Sequence, residues 1–204
     1  MKKTIQVLLV TLLFSAAASA QGRGNIEFGL NTGYNASYVD TYDQYLEYRS
    51  GYNFGASLDF YFSQEWSLKV KGIYDKKGWN NDIIDIDGDY YDTNINLTYI
   101  TVPVMASWHF GNKYNWYMNF GPYIGFLMDA EDTRFNNDIK HNFEETDFGL
   151  AVGFGVKIPV SNYVRLSLEY DMQAGVTDVL VNDYSQDLSN YRHSFNVGFN
   201  FLLK

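Results

Sequence analysis

Acidic side chains crowd one short stretch of the sequence, DIIDIDGDYYD, which runs from Asp82 to Asp92. Carboxylate oxygens are the ligands that hard cations such as calcium prefer, so Asp85, Asp87 and Asp89 are candidates for a weak cation site. The stretch does not follow the EF-hand spacing, and no glutamate closes it. A solvated acidic loop is therefore the favoured interpretation, and a weak cation site is the alternative.

Histidine chemistry is limited to His109, His141 and His193. Acid–base or nucleophilic catalysis requires a base within hydrogen-bond reach of its partner. His193 precedes Ser194 directly, but successive residues of a strand face opposite sides. None of the three histidines has a partner at a diagnostic spacing, so we predict no catalytic residue and no cofactor, and an enzyme is a less favoured alternative.

The elements that carry these residues are strands, because apolar and polar residues alternate. In NIEFGLNTGYNASY, residues 25–38, nearly every second residue is apolar or aromatic, which is typical of a β-strand. The alternation recurs in seven more segments, which begin near Gly51, Trp66, Tyr99, Trp116, Phe148, Val164 and Tyr191. The sequence therefore predicts an all-β fold of eight strands.

The connections between these segments alternate in length. Short ones occupy residues 63–65, 111–115 and 159–162, and long ones residues 39–50, 78–94, 129–145 and 177–190. Short turns at one end and long loops at the other are the layout of an outer-membrane barrel. This layout predicts an eight-stranded antiparallel up-and-down transmembrane β-barrel with four long external loops and three short periplasmic turns.

Three features favour lipid, rather than a soluble barrel's core, as the environment of the apolar face. The polar face is rich in glycine, which suits a narrow interior. Its charges have both signs, so they can pair when buried. The predicted lumen charge network comprises Glu27, Asp59, Lys69, Lys71, Asp147, Lys157, Arg165, Glu169, Asp171 and Arg192, with Asp75 on the same face. Finally, Trp66, Trp108, Trp116 and Tyr163 lie beside the short turns, as in an interfacial aromatic girdle.

The first twenty residues have the pattern of a secretory signal peptide. Lys2 and Lys3 precede an apolar run that ends in small residues at Ala20. We therefore predict a signal peptide at residues 1–20 and an outer-membrane barrel domain at residues 21–204. The chain has no cysteine, so packing and hydrogen bonds alone must stabilise the exported domain. Its formal net charge of −9 argues against a nucleic-acid partner.

Several segments resemble a known family. They are FGLNTGYNAS, LTYITVPVMASWHF with Tyr99, Val102 and Pro103, NFGPYIGFLM, and TDFGLAVGFGVKI. These segments are similar to the small outer-membrane β-barrel proteins of the porin family that are common in Bacteroidetes and include PorT-like members. The resemblance implies location in the outer membrane of a Gram-negative cell envelope and a barrel fold, but no reaction.

The expected function is a structural or surface-interaction role through the external loops. The expected partners are outer-membrane lipid and lipopolysaccharide, the barrel-assembly machinery, and an extracellular ligand or envelope protein. The alternatives are a small porin-like channel, an accessory component of a secretion system and a lipid-modifying enzyme.

Overall fold

The computed structural model of the chain describes residues 25–40, 47–86, 88–181 and 188–203. The predicted signal peptide, residues 1–20, lies outside the described residues, as does Asp87 of the acidic stretch. Among the described residues there is no helix long and apolar enough to cross a membrane.

Eight strands close into a single antiparallel barrel in sequence order. The strands are β1 Ile26–Asp40, β2 Glu47–Tyr61, β3 Trp66–Ile86, β4 Asp89–Phe110, β5 Trp116–Asp132, β6 Thr146–Pro159, β7 Val164–Gly175 and β8 Ser189–Leu203. Pairing of β1 with both β2 and β8 closes the ring, so each strand has neighbours on both sides, as hydrocarbon requires. The predicted eight-stranded up-and-down topology is confirmed, with one 3-10 turn, Lys140–Asn142, in the third long loop.

Alternate side chains face opposite sides of the barrel wall, and the apolar set faces outward. On β6, Leu150, Val152 and Phe154 are exposed while Ala151 and Gly153 between them face the interior. On β1 and β2, the inward positions include Glu27, Asn53 and Asp59, which are all 1% exposed. A water-soluble barrel would have the reverse arrangement.

Most of the connection predicted at residues 78–94 is strand rather than loop. β3 and β4 continue through it as a hairpin, with Asp85 opposite Tyr90 and Ile86 opposite Asp89. The sequence Asp87-Gly88 between two runs of β-branched and aromatic residues is a typical hairpin turn signal, and Gly88 has a φ of 91°. The predicted loop is wrong here, because the acidic residues that suggest a solvated loop lie on an extended hairpin.

Two of the three short turns, at residues 63–65 and 159–162, are stabilised by serine hydroxyls. Ser63 Oγ accepts hydrogen bonds from the backbone N–H of Trp66 at 2.9 Å and of Glu65 at 3.2 Å. Ser161 Oγ accepts from Val164 at 3.1 Å and from Tyr163 at 3.2 Å. This side-chain-to-backbone bonding is a common way to form a tight turn, and it fixes the aromatic residues at this end of the barrel.

Candidate functional site

Charged side chains fill the middle of the barrel as one continuous chain of ion pairs. From the short-turn end its order is Arg165, Glu27, Lys157, Asp59, Lys69, Glu169, Lys71, Asp171, Arg192 and Asp75. Bases and acids alternate at every step. The longest step, from Lys69 Nζ to Glu169 Oε2, is 3.9 Å. The barrel thus brings together nine of the ten charges predicted for the lumen, and the tenth, Asp147, pairs elsewhere.

The ion pairs are almost completely excluded from solvent. Arg165 has 37% of its side chain exposed, whereas no other member of the chain exceeds 10%. Removing a charge from water costs several kcal/mol unless partners and hydrogen bonds compensate for it. Neutral groups supply further hydrogen bonds: Ser67 donates to Asp59 at 2.6 Å, Asn196 to Asp171 at 2.7 Å and Asn119 to Glu169 at 3.0 Å. The interior is therefore a fixed polar network.

A separate ion pair, Lys77 with Asp147, lies nearer the long-loop end, with 3.3 Å between Nζ and Oδ2. Lys77 was not among the predicted lumen charges, because it lies next to the long connection predicted at residues 78–94. It shares the inward parity of Lys69 and Lys71, so continued alternation was the signal that could have found it. With this pair included, the ion pairs of the described interior involve six bases and six acids.

Above the charges, an apolar cluster that was not predicted from the sequence closes the long-loop end of the barrel. Its buried members are Val39, Trp79, Ile95, Leu97, Tyr99, Leu127, Ala130, Phe143 and Val179. Phe143 and Val179 come from the third and fourth loops, which are joined where Glu144 N–H donates to the Val179 carbonyl at 2.9 Å. Apolar residues face inward here, as expected where strands leave the membrane and water surrounds the outer face.

Free space inside the network is small. A cavity of about 20 Å³ lies among Lys69, Lys71, Tyr117 and Glu169. That volume holds roughly one water molecule. Solutes would have to displace paired charges to pass this level of the barrel.

His109 belongs to the interior and is 1% exposed. Its Nε2 lies 3.0 Å from Ser67 Oγ and 3.3 Å from Ser107 Oγ. Because Ser67 donates its hydroxyl proton to Asp59, Ser67 Oγ is the acceptor in its contact with His109 Nε2. The contacts of His109 therefore serve packing and hydrogen bonding.

The predicted aromatic residues lie on the outer face beside the short turns. Trp66 stacks on Trp108 with ring centroids 6.4 Å apart, and Trp116 stacks on Phe154 at 5.5 Å. Trp108, Trp116 and Tyr163 are each at least 40% exposed. Such a band suits the boundary between hydrocarbon and head groups.

The remaining residues considered for cation binding or catalysis lie apart from one another. Asp85 and Asp89 lie at the tip of the β3–β4 hairpin. His141 is exposed in the third loop, and His193 Nδ1 lies 2.8 Å from the Tyr170 hydroxyl on the outer face. Among the described residues, no three His, Asp or Glu side chains are grouped to hold a metal ion. The cation site that includes Asp87 stays a prediction.

A family model described as "Outer membrane protein beta-barrel domain" matches residues 18–181 of the chain. The chain belongs to this family. It is thus an outer-membrane barrel, whose short turns face the periplasm and whose long loops face the outside. A search of curated proteins gives no significant match.

Solved structures repeat the fold of the outer-membrane barrel at low sequence identity. OprG from Pseudomonas aeruginosa has a TM-score of 0.54 and 10% identity, over 90% of this chain and 98% of OprG. AlkL in lipid bilayers has a TM-score of 0.54 and 8% identity, over 89% and 90% of the two chains. Neisserial surface protein A has a TM-score of 0.52 and 14% identity, over 86% and 97%. At these identities the similarity establishes the fold alone.

Proposed function

We propose that this outer-membrane barrel is a closed, non-enzymatic surface-interaction protein that presents its external loops to a ligand or an envelope protein. The observation that carries the proposal is the double closure of the interior, by paired charges at membrane level and by the apolar cluster above them. A barrel with a closed interior anchors its external loops in the membrane, and those loops bind the partner.

The external β3–β4 hairpin is the favoured binding element. β3 pairs with β2 only as far as Asn80, and β4 pairs with β5 only from Ile95, so the hairpin beyond them is a two-stranded ribbon. Ile83 is 58% exposed and Tyr90 is 76% exposed on this ribbon. Tyrosine provides a large contact area at low entropic cost, which is why it is enriched in binding surfaces.

Arg134 and Phe135 of the third loop extend the same surface. The Arg134 guanidinium lies 4.9 Å from the centre of the Tyr91 ring, and Phe135 meets that ring edge-on at 5.5 Å. Arginine and aromatic residues are the commonest anchors of protein interfaces. The proposed partner is therefore an external protein or ligand that contacts aromatic rings.

Planar-bilayer recording tests the closed state. The folded protein, verified by heat-modifiable gel migration, should give no steady conductance. Steady open steps would instead favour the porin-like channel, in which interior groups such as Arg165 and Glu169 must move aside. Unchanged lipid A mass spectra with and without the protein would agree with a non-enzymatic role, and a modified lipid A would contradict it.

A second test concerns the external surface. Replacing residues 82–92 by a two-residue Asn-Gly turn should leave the barrel folded and abolish adhesion of expressing cells to their extracellular target. Adhesion that survives this replacement would contradict a role for the hairpin. Co-purification of the full chain with a translocon would instead support a secretion accessory, as in PorT-like members of the Bacteroidetes porin family.

Export is part of the same proposal. We propose that cleavage after Ala20 yields a mature chain beginning at Gln21, which the barrel-assembly machinery inserts among outer-membrane lipid and lipopolysaccharide. Amino-terminal sequencing of the protein purified from outer membranes tests the cleavage position. A first residue other than Gln21 would contradict it.

A further inference from the structure

An open cavity of the described barrel lies at its periplasmic mouth, away from the proposed external binding surface. Its volume is about 630 Å³, which falls within the range of small-molecule sites. Its wall includes Ser63 and Lys113 on two short turns, and Tyr61, Lys157, Arg165 and Leu202 at or near strand ends. One concave surface is thus formed by residues at the ends of several strands and in two of the short turns.

The charges that line this cavity are basic. Lys113, Lys157 and Arg165 contribute to the wall, and Lys113 lies on the exposed turn between β4 and β5. The nearest interior acids, Glu27 and Asp59, lie behind the wall at 1% exposure each. Both are already paired with Lys157, and Glu27 also accepts from Arg165. A ligand that enters the mouth therefore meets the exposed Lys113 and the Arg165 fork, while the acidic partners of Arg165 and Lys157 lie behind the wall.

Arg165 and Tyr61 have donors that can face a ligand. Arg165 Nη1 donates to Glu27 at 3.0 Å, and the side chain is 37% exposed at the cavity wall. Since a guanidinium carries several N–H donors in a planar fork, this bond leaves donors for an oxyanion. The Tyr61 hydroxyl accepts from Lys157 Nζ at 2.7 Å, which leaves its own proton to donate.

The network behind the wall holds these donors in place. Lys157 Nζ bonds to Glu27, to Asp59 at 2.9 Å and to Tyr61, so all its donors are occupied. The Arg165 fork is in turn anchored on Glu27. Preorganised donors bind a ligand with less loss of side-chain entropy than mobile surface residues do.

We infer that the periplasmic mouth is a binding site for a small ligand carrying a carboxylate or phosphate group, held by Arg165 with Lys113 and the Tyr61 hydroxyl. The wall also presents Tyr114, Pro159 and Leu202, which provide apolar contact for the body of such a ligand. The geometry of a planar fork suits two oxygens of the same anion.

Nuclear magnetic resonance titration of the folded protein in lipid nanodiscs tests the inference. The probes are inorganic phosphate, an acetylated dialanine peptide with a free carboxylate, and the same peptide as its carboxyl-terminal amide. The backbone amide resonance of Tyr114, which lines the cavity and is retained in every variant, should shift saturably with phosphate, with the free-acid peptide or with both, and not with the amide. The probe that saturates it identifies the anion.

Variants at the periplasmic mouth distinguish a specific anion-binding site from a general attraction of anions to positive charge. Arg165→Lys keeps the positive charge and the Glu27 partner but loses the fork, so affinity should fall by about tenfold. The matched change Arg49→Lys, near the external end of β2, should leave affinity unchanged. Lys113→Gln, on the exposed turn, should weaken binding without disturbing the interior network, and it keeps the test available if Arg165→Lys folds poorly.

Two results would overturn the inference. One is the lack of a saturable shift with either anion up to about 10 mM, where a ligand with a Kd of about 1 mM would already occupy most sites. The other is equal affinity in the parent, Arg165→Lys and Lys113→Gln proteins. Neither result bears on the external hairpin, so the two proposals fail independently.

Discussion

Lys77 and Asp147 lie 70 residues apart in the sequence, yet Lys77 Nζ is 3.3 Å from Asp147 Oδ2 inside the barrel. Each side chain is 1% exposed. The Tyr123 hydroxyl donates to the same carboxylate at 3.2 Å, and Asn190 donates to it at 3.1 Å. One buried carboxylate on β6 therefore links β3, β5 and β8 across the interior.

Replacing Lys77 by methionine should strongly destabilise the barrel, because Asp147 would keep its buried charge without a cation. Breaking a buried pair from one side typically costs about 3–5 kcal/mol. Urea unfolding of the protein in lipid vesicles measures the change. The double variant Lys77→Met with Asp147→Asn should recover part of the loss, and a double variant as unstable as the sum of the two single variants would contradict the pairing.

The sequence was sufficient to predict which charges face the interior but not which of them pair. Whether a charged side chain faces the interior follows from the alternation along its own strand and from the cost of a charge in lipid. The inward orientation of Glu27 and Lys157 could therefore be predicted from the neighbouring residues in the sequence. Pairing depends on the tilt and stagger of strands around the closed barrel. The contact of Lys157 with Asp59, 98 residues away, is an example that local patterns do not encode.

The closure of the external end was not predictable for a related reason. Phe143 and Val179 lie in loops whose sequences show no alternation, and their burial depends on two loops that meet above the barrel. Trp79 is 2% exposed in the same cluster. The alternation along β3 predicts that Trp79 faces the interior, but it does not show that Trp79 lies in an apolar layer rather than beside the charges.

Because the apolar side chains face lipid, the loss of stability caused by an arginine on the outer face should depend on its depth in the membrane. Val152 lies at the middle of β6 and is 48% exposed, so Val152→Arg should cost about 2–4 kcal/mol in lipid. Val176 is 70% exposed just beyond the external end of β7, so Val176→Arg should cost less than about 1 kcal/mol. Unfolding titrations in vesicles compare the two variants, and equal costs would contradict the inside–outside assignment.

Glycines of the interior should be less replaceable than glycine on the lipid face. A Cβ at Gly149 would collide with the Ala174 carbonyl oxygen and the Tyr123 ring, so Gly149→Ala should destabilise by about 1–3 kcal/mol. A Cβ at Gly72 would meet no atom within 4 Å, so Gly72→Ala should be neutral or stabilise by up to about 1 kcal/mol. Unfolding titrations measure both, and equal effects would show that the interior at Gly149 is looser than described.

The apolar cluster predicts that Phe143 holds the third and fourth loops together. Phe143 is 5% exposed and meets Trp79 with ring centroids 6.0 Å apart, so Phe143→Ala should leave a cavity beneath the loops. Because the barrel wall does not depend on this contact, the loss should appear as local opening rather than global unfolding. Limited proteolysis of intact cells should cleave residues 133–145 about tenfold faster than in the parent, with heat-modifiable migration unchanged. Phe135→Ala, a loop phenylalanine that is 42% exposed, is the matched control and should alter cleavage little. Equal cleavage rates in the parent and the Phe143 variant would refute the proposed role of this side chain in closing the external end.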